Sequence, residues 1–148
     1  MTEQTEGEAI LRADWVGTTV FTFTAVAATV TDAGAVPAAA VALSLFAAGI
    51  TIFLWAYAIA VGRSRTDAIG IGGLFFLAGE GTAPSRVRRN LLGALGAQVV
   101  VALATAGARP FTSLAFGVLV PVYGMALTGL WGARYGRFDL RRATGPTK

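Results

Sequence analysis

Few residues in this chain could do chemistry, and they lack the usual partners for catalysis. None of the 148 residues is cysteine or histidine, which excludes thiolate nucleophiles, disulfides and imidazole acid-base chemistry. The loop of residues 63–90 holds two acids, Asp67 and Glu80, among arginines. An enzyme that acts on lipids would depend on these two alone, because no activated nucleophile, paired carboxylates or metal-ligand cluster can be assembled elsewhere. We therefore expect no catalytic activity and no cofactor.

Other polar residues lie inside apolar segments. Gln98 and Thr105 are seven residues apart on one helix face, and Gln98 is the costliest of these groups to bury in lipid. We expect its amide to hydrogen-bond another helix. Pro121 removes the hydrogen bond to the carbonyl of Gly117, which then needs a hydroxyl, a water or a bound species as its partner. A packing kink is the favoured interpretation, and a broken-helix transport pathway is the alternative.

Apolar elements must position these residues, and the composition indicates membrane helices. Hydrophobic residues make up 55% of the chain and charged residues 14%, whereas about 25% of a soluble domain is charged. Four segments have the roughly 17 to 25 apolar residues of a membrane-spanning helix; they are residues 15–31, 37–62, 91–108 and 111–133. The sequence therefore predicts an all-α integral membrane protein, a single domain over residues 1–148, with four transmembrane helices in an antiparallel bundle.

The arginines predict the orientation of these helices, because basic residues near helix ends stay in the cytoplasm. Of the twelve basic residues, eleven fall in the tails 1–14 and 134–148 or in the loop 63–90, and only Arg109 falls in the opposite loops. Both termini are therefore expected in the cytoplasm. Abundant Arg, Ala and Gly are typical of a GC-rich bacterial genome, so we expect a multi-pass protein of the bacterial inner membrane.

Two details of the chain bear on this topology. Trp15, Trp55 and Trp131 lie toward the predicted cytoplasmic ends and are expected to be interfacial anchors. The stretch "VTDAGA" resembles a signal peptidase site, but the acids among residues 1–14 outnumber Arg12, whereas a signal peptide begins with a basic region. We therefore expect an uncleaved cytoplasmic tail.

The segment "AIGIGGLFFLAGEG", residues 68–81, is apolar but too short to cross a membrane. Its twelve apolar or small residues before Glu80 would extend only about 18 Å as a helix. A crossing would also place the arginines before and after it on opposite sides. We predict a short interfacial helix over residues 67–79, begun by Thr66 or Asp67 as its N-cap, with a re-entrant loop as the alternative.

Small residues predict where the helices pack, since close approach replaces the hydrophobic drive in lipid. The candidate packing or pathway residues are Gly93, Ala97, Gln98, Thr105, Gly117, Pro121, Gly124 and Thr128. Little more than Arg109 and Pro110 joins the third and fourth segments, so we expect a tight antiparallel hairpin with the small residues at its seam.

The cytoplasmic arginines predict contact with anionic lipids of the inner leaflet or with a protein partner. Nucleic acid is not expected, because the leaflet is the nearer polyanion. The candidate contact residues are Arg63, Arg65, Arg86, Arg88, Arg89, Arg137, Phe138, Arg141 and Arg142. On the outer side, Asp32 and Arg109 have opposite charges and are expected to pair, which contributes at most about 1 kcal/mol if they are exposed.

These features favour a non-catalytic membrane subunit or scaffold. It would associate with another membrane protein or with itself through its small-residue faces and its arginine-rich side. A small oligomeric channel or transporter that uses the kink at Pro121 is the alternative. Against it, the four predicted segments contain no ionisable residue of the kind that couples transport to an ion. A lipid-handling enzyme is the third hypothesis.

Overall fold

The computed structural model describes residues 7–79 and 81–140, and these are mostly helical. The α-helices are α1 (Glu8–Val30), α2 (Ala35–Arg63), α3 (Ile71–Phe75), α4 (Ser85–Ala108) and α5 (Pro121–Tyr135). Short 3-10 segments, Asp32–Gly34 and Ser113–Leu119, precede α2 and α5. No strand occurs among the described residues, where a single isolated bridge joins Asp67 to Leu140. The predicted all-α class is therefore confirmed for this part of the chain.

Within the described part of the chain, three elements are long and apolar enough to cross a membrane. They are Asp32–Arg63, Ser85–Ala108 and Ser113–Tyr135, which match the predicted segments 37–62, 91–108 and 111–133. Helix α1 is not among them. It carries five threonines and begins at Glu8, seven residues before the predicted start, so that it also includes Arg12 and Asp14.

Contacts between the helices group their ends. Ile10 of α1, Leu91 of α4 and Trp131 of α5 belong to one apolar cluster, so the starts of α1 and α4 lie beside the end of α5. Arg63, at the end of α2, donates a hydrogen bond of 2.8 Å to the carbonyl of Ala133 in α5 and lies at the same end. We call this the arginine end. Its described basic residues are Arg12, Arg63, Arg65, Arg86, Arg88, Arg89, Arg134 and Arg137.

The opposite end, which we call the turn end, is built from short connections. Ala28, Ala38 and Leu114 form a small apolar cluster that joins the end of α1 to the start of α2 and to the second 3-10 segment. Arg109 Nη2 lies 2.7 Å from Asp32 Oδ1. The Nη1 group of Arg109 donates a hydrogen bond of 3.2 Å to the carbonyl of Ala28. Chain turns and one ion pair therefore close this end.

The segment 68–81 leaves and returns at the arginine end. Near its start, the Ala68 N–H donates to the carbonyl of Asp139, and just past its end the carbonyl of Thr82 accepts from the N–H of Arg137. The α-helix within it is α3 alone, five residues long and therefore shorter than the predicted 67–79. Closely spaced glycines disfavour a longer helix.

Part of this segment lies between helices rather than on their outer surface. Phe75 is buried and stacks on Phe53 of α2, with ring centroids 5.0 Å apart. Phe53 precedes Arg63 by ten residues, or about 15 Å along the helix axis. A Cβ at Gly129 of α5 would lie 2.5 Å from the Phe75 ring. These contacts place Phe75 between α2 and α5.

The most extensive helix packing joins α2 to α5. A Cβ at Gly49 of α2 would lie 2.9 Å from the backbone nitrogen and Cα of Tyr123, so the two helix backbones are close there. At Gly132 of α5, a Cβ would lie 2.5 Å from the carbonyl oxygen of Leu74. The contact between α4 and α5, which the sequence predicted as the tight seam, is less extensive.

Pro121 does not kink a continuous α-helix. The chain is 3-10 helical over Ser113–Leu119, and α5 begins at Pro121, where a proline needs no N–H partner. The carbonyl of Gly117 accepts a 3-10 hydrogen bond of 3.0 Å from the N–H of Val120. The carbonyl that was expected to be free is thus bonded within the backbone, and it offers no ligand to a pathway.

Candidate functional site

A carboxylate is buried among the helices. Asp14, the seventh residue of α1, is 0% exposed. The sequence predicts Asp14 in the cytoplasmic tail 1–14, at the end of a possible short helix "EAILRAD", because the apolar segment begins at Trp15. The structure corrects that expectation: the helix begins at Glu8, and its inward face carries Asp14 between α4 and α5.

Gln98, near the middle of α4, holds this carboxylate. Its Nε2 donates to Asp14 Oδ1 at 3.0 Å and to Thr18 Oγ1 at 2.7 Å. The Thr18 hydroxyl donates in turn to the backbone carbonyl of Asp14 at 2.7 Å. Gln98 is 0% exposed, and its amide makes the contact with another helix that its burial required. We call Asp14, Thr18 and Gln98 the carboxylate cluster.

Two oxygens of the carboxylate cluster lack a hydrogen-bond donor among the described residues. Asp14 Oδ2 and Gln98 Oε1 are buried and have no hydrogen-bond partner among the described residues. The salt bridges in this part of the chain involve other acids, namely Glu8, Asp67 and Asp32. A buried acceptor without a partner costs about 1 to 3 kcal/mol, and a charged one more. Asp14 Oδ2 could bind a proton, and both oxygens could coordinate a small cation.

Glycines bring three helices close around the cluster. A Cβ at Gly124 of α5 would lie 2.6 Å from Gln98 Oε1, and one at Gly17 of α1 would lie 2.5 Å from the Tyr123 ring. The Tyr123 hydroxyl donates to the carbonyl of Ala13 at 2.9 Å. A larger side chain at either glycine would therefore displace a group that contacts or encloses Asp14.

The two sides of the carboxylate cluster differ. Toward the turn end an apolar layer follows, made of Phe21, Ala25, Ala42, Ala102 and Val120, all buried. Toward the arginine end, Leu11 precedes Asp14 by one turn, about 4.5 Å along the axis. Leu11 also lines a partly enclosed cavity of about 750 Å³. The cluster is therefore closer to the cavity than to the turn end.

The cavity lies between the starts of α1 and α4 and the end of α5, and we call it the arginine cavity. Its lining residues are Gly7, Glu8, Leu11, Gly81, Thr82, Ala83, Pro84, Arg86, Val87, Trp131, Arg134, Tyr135 and Arg137. Trp131 was expected to be an interfacial anchor but is 5% exposed, whereas Trp15 and Trp55 are 43% and 58% exposed. Its Nε1 is buried without a partner among the described residues.

Some predicted contact residues are used inside the chain. The guanidinium of Arg63 donates to Asp67 Oδ2 at 2.9 Å and to the carbonyl of Gly136 at 3.1 Å, in addition to Ala133. Its Cζ lies 5.7 Å from the centroid of the Phe138 ring. Arg63 and Phe138 therefore tie the loop after α2 to the end of α5, a role that sequence reasoning did not anticipate.

The other predicted contact residues remain at the surface. Arg65, Arg86, Arg88, Arg89 and Arg137 are exposed, while Arg141 and Arg142 lie outside the described residues, as does Glu80. Arg88 and Arg89 line a second, more open depression beside Gly93. Lipid or partner contact is sterically open to these five arginines.

The predicted packing residues fall into two sets. Gln98, Thr105, Gly117, Gly124 and Thr128 are buried against neighbouring helices, and Pro121 is half-buried. Ala97 is also half-buried, but Gly93 is exposed, and a Cβ there would meet no atom within 4 Å. Gly93 therefore lies outside the helix contacts of the described residues, and the inward face of α4 is instead Ala94, Gln98, Ala102 and Thr105.

Sequence reasoning missed Asp14, Gly17 and Gly49. A signal for the first two was present, since Asp14, Gly17, Thr18 and Phe21 follow the three-and-four spacing of one helix face. No comparable pattern marked Gly49, whose small size matters only because Tyr123 lies across from it.

Comparisons of this chain with protein-family models, with curated proteins and with solved structures find no match. The carboxylate cluster and the two arginine-lined surfaces therefore carry the functional argument.

Proposed function

We propose that the chain crosses a membrane four times, with α1 as the fourth span. At 23 residues, α1 is about 35 Å long, enough to cross the hydrocarbon core. Four of its threonines donate to carbonyls of their own helix, which reduces their cost in lipid. Its large outward residues beyond Asp14 are apolar and include Val16, Val20, Phe23, Val26 and Val30, with Thr19 exposed among them.

The arginine end faces the cytoplasm in this proposal, as the distribution of basic residues favours. Four crossings agree with the contacts, which bring Gly7 and Leu140, the first and last described residues, to that same end. A bacterial inner membrane remains the expected location. Because the chain has no cysteine, single cysteines can test the topology: Arg65→Cys and Arg88→Cys should be labelled from one side of the membrane and Phe111→Cys from the other. Labelling of Arg65→Cys and Arg88→Cys from opposite sides would refute four crossings.

On this topology, we propose that the protein is a small, non-catalytic channel or transporter for a proton or another small cation. The observation that carries the proposal is the buried Asp14, which has an amide and a hydroxyl as neighbours but no basic partner among the described residues. An ionisable residue within a membrane is a functional-site hypothesis by default. The sequence ranks transport below a scaffold function because the predicted segments contain no such residue. The buried position of Asp14 makes transport the leading proposal. The pathway would pass Asp14 rather than Pro121.

The residues around Asp14 suggest how access is controlled. From the arginine cavity, a cation would pass Leu11 and Trp131 to reach the carboxylate. Beyond it, Phe21 and Val120 close the way to the turn end. Release on the other side would require these apolar residues to separate, in the manner of alternating access around a fixed central site.

Flux into liposomes tests the proposal. The purified chain should carry protons, Na⁺ or K⁺ across a gradient, and Asp14→Asn, which keeps the shape but removes the charge, should lower the rate at least about tenfold. Asp32→Asn is the matched control, because it removes an exposed carboxylate from the turn end and should leave the rate unchanged. Equal rates for wild type and Asp14→Asn, or no flux of any of the three ions, would refute transport.

A second function, a non-catalytic subunit or scaffold, is favoured by the outer face of α4. A Cβ at Gly93, Gly96 or Gly107 would meet no atom within 4 Å, although these glycines lie in an apolar span. Helices in lipid associate through such small-residue faces. Arg88 and Arg89 are exposed at the end of this face and would meet the same partner, either a second copy or another membrane protein.

Association can be separated from folding. In a mild detergent, Gly96→Leu should dissociate the complex seen by mass measurement of the intact assembly, because the added side chain keeps the helices apart. Gly62→Leu is the control, since Gly62 is also exposed without near neighbours but lies at the end of α2. A wild-type chain that is monomeric, or a complex that survives Gly96→Leu, would count against this function.

A further inference from the structure

The arginine cavity carries excess positive charge along its described lining. Arg86, Arg134 and Arg137 face a single described acid, Glu8. Glu8 Oε2 already lies 3.4 Å from Arg12 Nη2, outside the cavity lining. None of the three lining arginines forms a salt bridge with a described residue, although the Arg134 guanidinium lies over the Trp55 ring at 5.5 Å. The lining therefore attracts an anion.

Backbone donors add to these charges, because α4 begins at the cavity. Its N-cap residue is Pro84, which gives no side-chain cap, and Pro84, Arg86 and Val87 all line the cavity. The first N–H groups of a helix have no partner within it. In a helix of 24 residues they also lie at the positive end of the helix dipole, which is a common binding place for phosphate groups.

A buried side-chain donor lines the same cavity. Trp131 Nε1 has no described partner although its side chain is 5% exposed. A Cβ at Gly7 would lie 2.6 Å from this nitrogen, which places it at the part of the wall that Gly7 forms. A buried indole N–H normally donates to an acceptor. The cavity thus brings guanidinium, backbone and indole donors together, and a group with several anionic oxygens would satisfy all three kinds.

We propose that the arginine cavity binds a phosphate-bearing anion, in the first place the headgroup of an anionic phospholipid. The cavity, at about 750 Å³, exceeds the size of a phosphate ion and has room for a glycerol phosphate headgroup. It lies at the end of the apolar spans, beside Trp131 and Tyr135, at the level where headgroups meet aromatic residues. A soluble phosphate shares the same chemistry. The inference does not require transport or association. A bound anion would offset the positive charge of this lining, which otherwise opposes the entry of a cation toward Asp14.

Lipid titration of the full chain tests the site. After delipidation in mild detergent, phosphatidylglycerol and phosphatidylcholine are titrated separately while bound lipid is counted by native mass spectrometry. We expect at least a tenfold preference for phosphatidylglycerol. Arg86→Gln/Arg137→Gln should weaken its binding about 30-fold, since each basic residue near a lipid phosphate contributes about one factor of five.

A matched pair separates this site from general charge attraction. Arg88→Gln/Arg89→Gln removes the same charge from the same end but lies outside the arginine cavity, so it reports the general attraction of anionic lipid and should weaken binding several-fold less than Arg86→Gln/Arg137→Gln does. Trp131→Phe keeps the ring and removes only the N–H, and should weaken binding several-fold. Equal losses from the two arginine pairs, or a bound lipid that is insensitive to both Arg86→Gln/Arg137→Gln and Trp131→Phe, would overturn the proposal.

Two further measurements complete the test. Inorganic phosphate is titrated while thermal unfolding is followed by circular dichroism; stabilisation that Arg86→Gln/Arg137→Gln abolishes supports the same site with a soluble ligand. If that variant does not fold, Arg86→Lys/Arg137→Lys keeps the charge but loses the two-pronged contact, and should bind phosphatidylglycerol several-fold more weakly. If Arg86→Lys/Arg137→Lys and Trp131→Phe both fold and bind phosphatidylglycerol as tightly as the wild type, the site is refuted.

Discussion

Asp14 and Asp32 are acids near the two ends of α1, and they differ in both burial and charge partner. Asp32 is 91% exposed and has a full counter-charge, with Arg109 Nη2 at 2.7 Å. Asp14 is 0% exposed, and its side chain has only the neutral amide of Gln98 as a hydrogen-bond donor. Asp32, which water can solvate, is paired with a cation. Asp14, which is buried, has no cation as a partner among the described residues. Stability alone does not explain this arrangement, which is why we place function at Asp14.

The comparison predicts that loss of the Asp14 partner has the largest effect. Gln98→Leu removes both donated hydrogen bonds and leaves a buried carboxylate without any side-chain donor on α4. We expect the free energy of unfolding, measured by SDS titration with circular dichroism, to fall by about 3 kcal/mol. Asp14→Leu/Gln98→Leu should recover most of that loss, because no charge is then buried. A single variant as stable as wild type would mean that Gln98 does not hold the acid.

A smaller effect is expected when the amide is displaced rather than removed. Gly124→Ala would place its Cβ 2.6 Å from Gln98 Oε1, so the amide must move and the unfolding free energy should fall by about 1 to 3 kcal/mol. Gly93→Ala is the matched control on α4, where nothing lies within 4 Å, and should leave stability unchanged or raise it by up to about 1 kcal/mol, as alanine does in a helix interior. Similar losses for both variants would show that the close approach at Gly124 is not specific.

The smallest effect is expected at Asp32. Asp32→Asn should cost at most about 1 kcal/mol of unfolding free energy, and less at high salt, because the pair is exposed to screening. The charge-swapped Asp32→Arg/Arg109→Asp variant should be more stable than either single variant. If it is no better than both, the ion pair does not join the two turns.

Composition and charge predicted the apolar helices and the grouping of their ends. They did not predict features that depend on a residue of another helix. Apolar length located the three elements that are long and apolar enough to cross a membrane, and the arginines grouped the helix ends. The burial of Asp14 was not predicted, because a charged residue marks the end of an apolar segment even where the helix continues through it. Its burial is tolerated because Gln98, on another helix, donates a hydrogen bond to it. Pro121 was predicted inside a helix because the residues before it are apolar, but those residues form a 3-10 segment that packs against α2 and α4.

The loop after α2 finds its partners in a part of the chain that the ribosome makes later. Its buried residues contact Gly129 and Gly132, and Arg63 binds the carbonyls of Ala133 and Gly136. During synthesis, Leu74 and Phe75 are added more than fifty residues before Gly129 and Gly132, their partners. The apolar loop therefore lacks these contacts until α5 is made, and a chain that stops before residue 129 would leave that loop open to degradation.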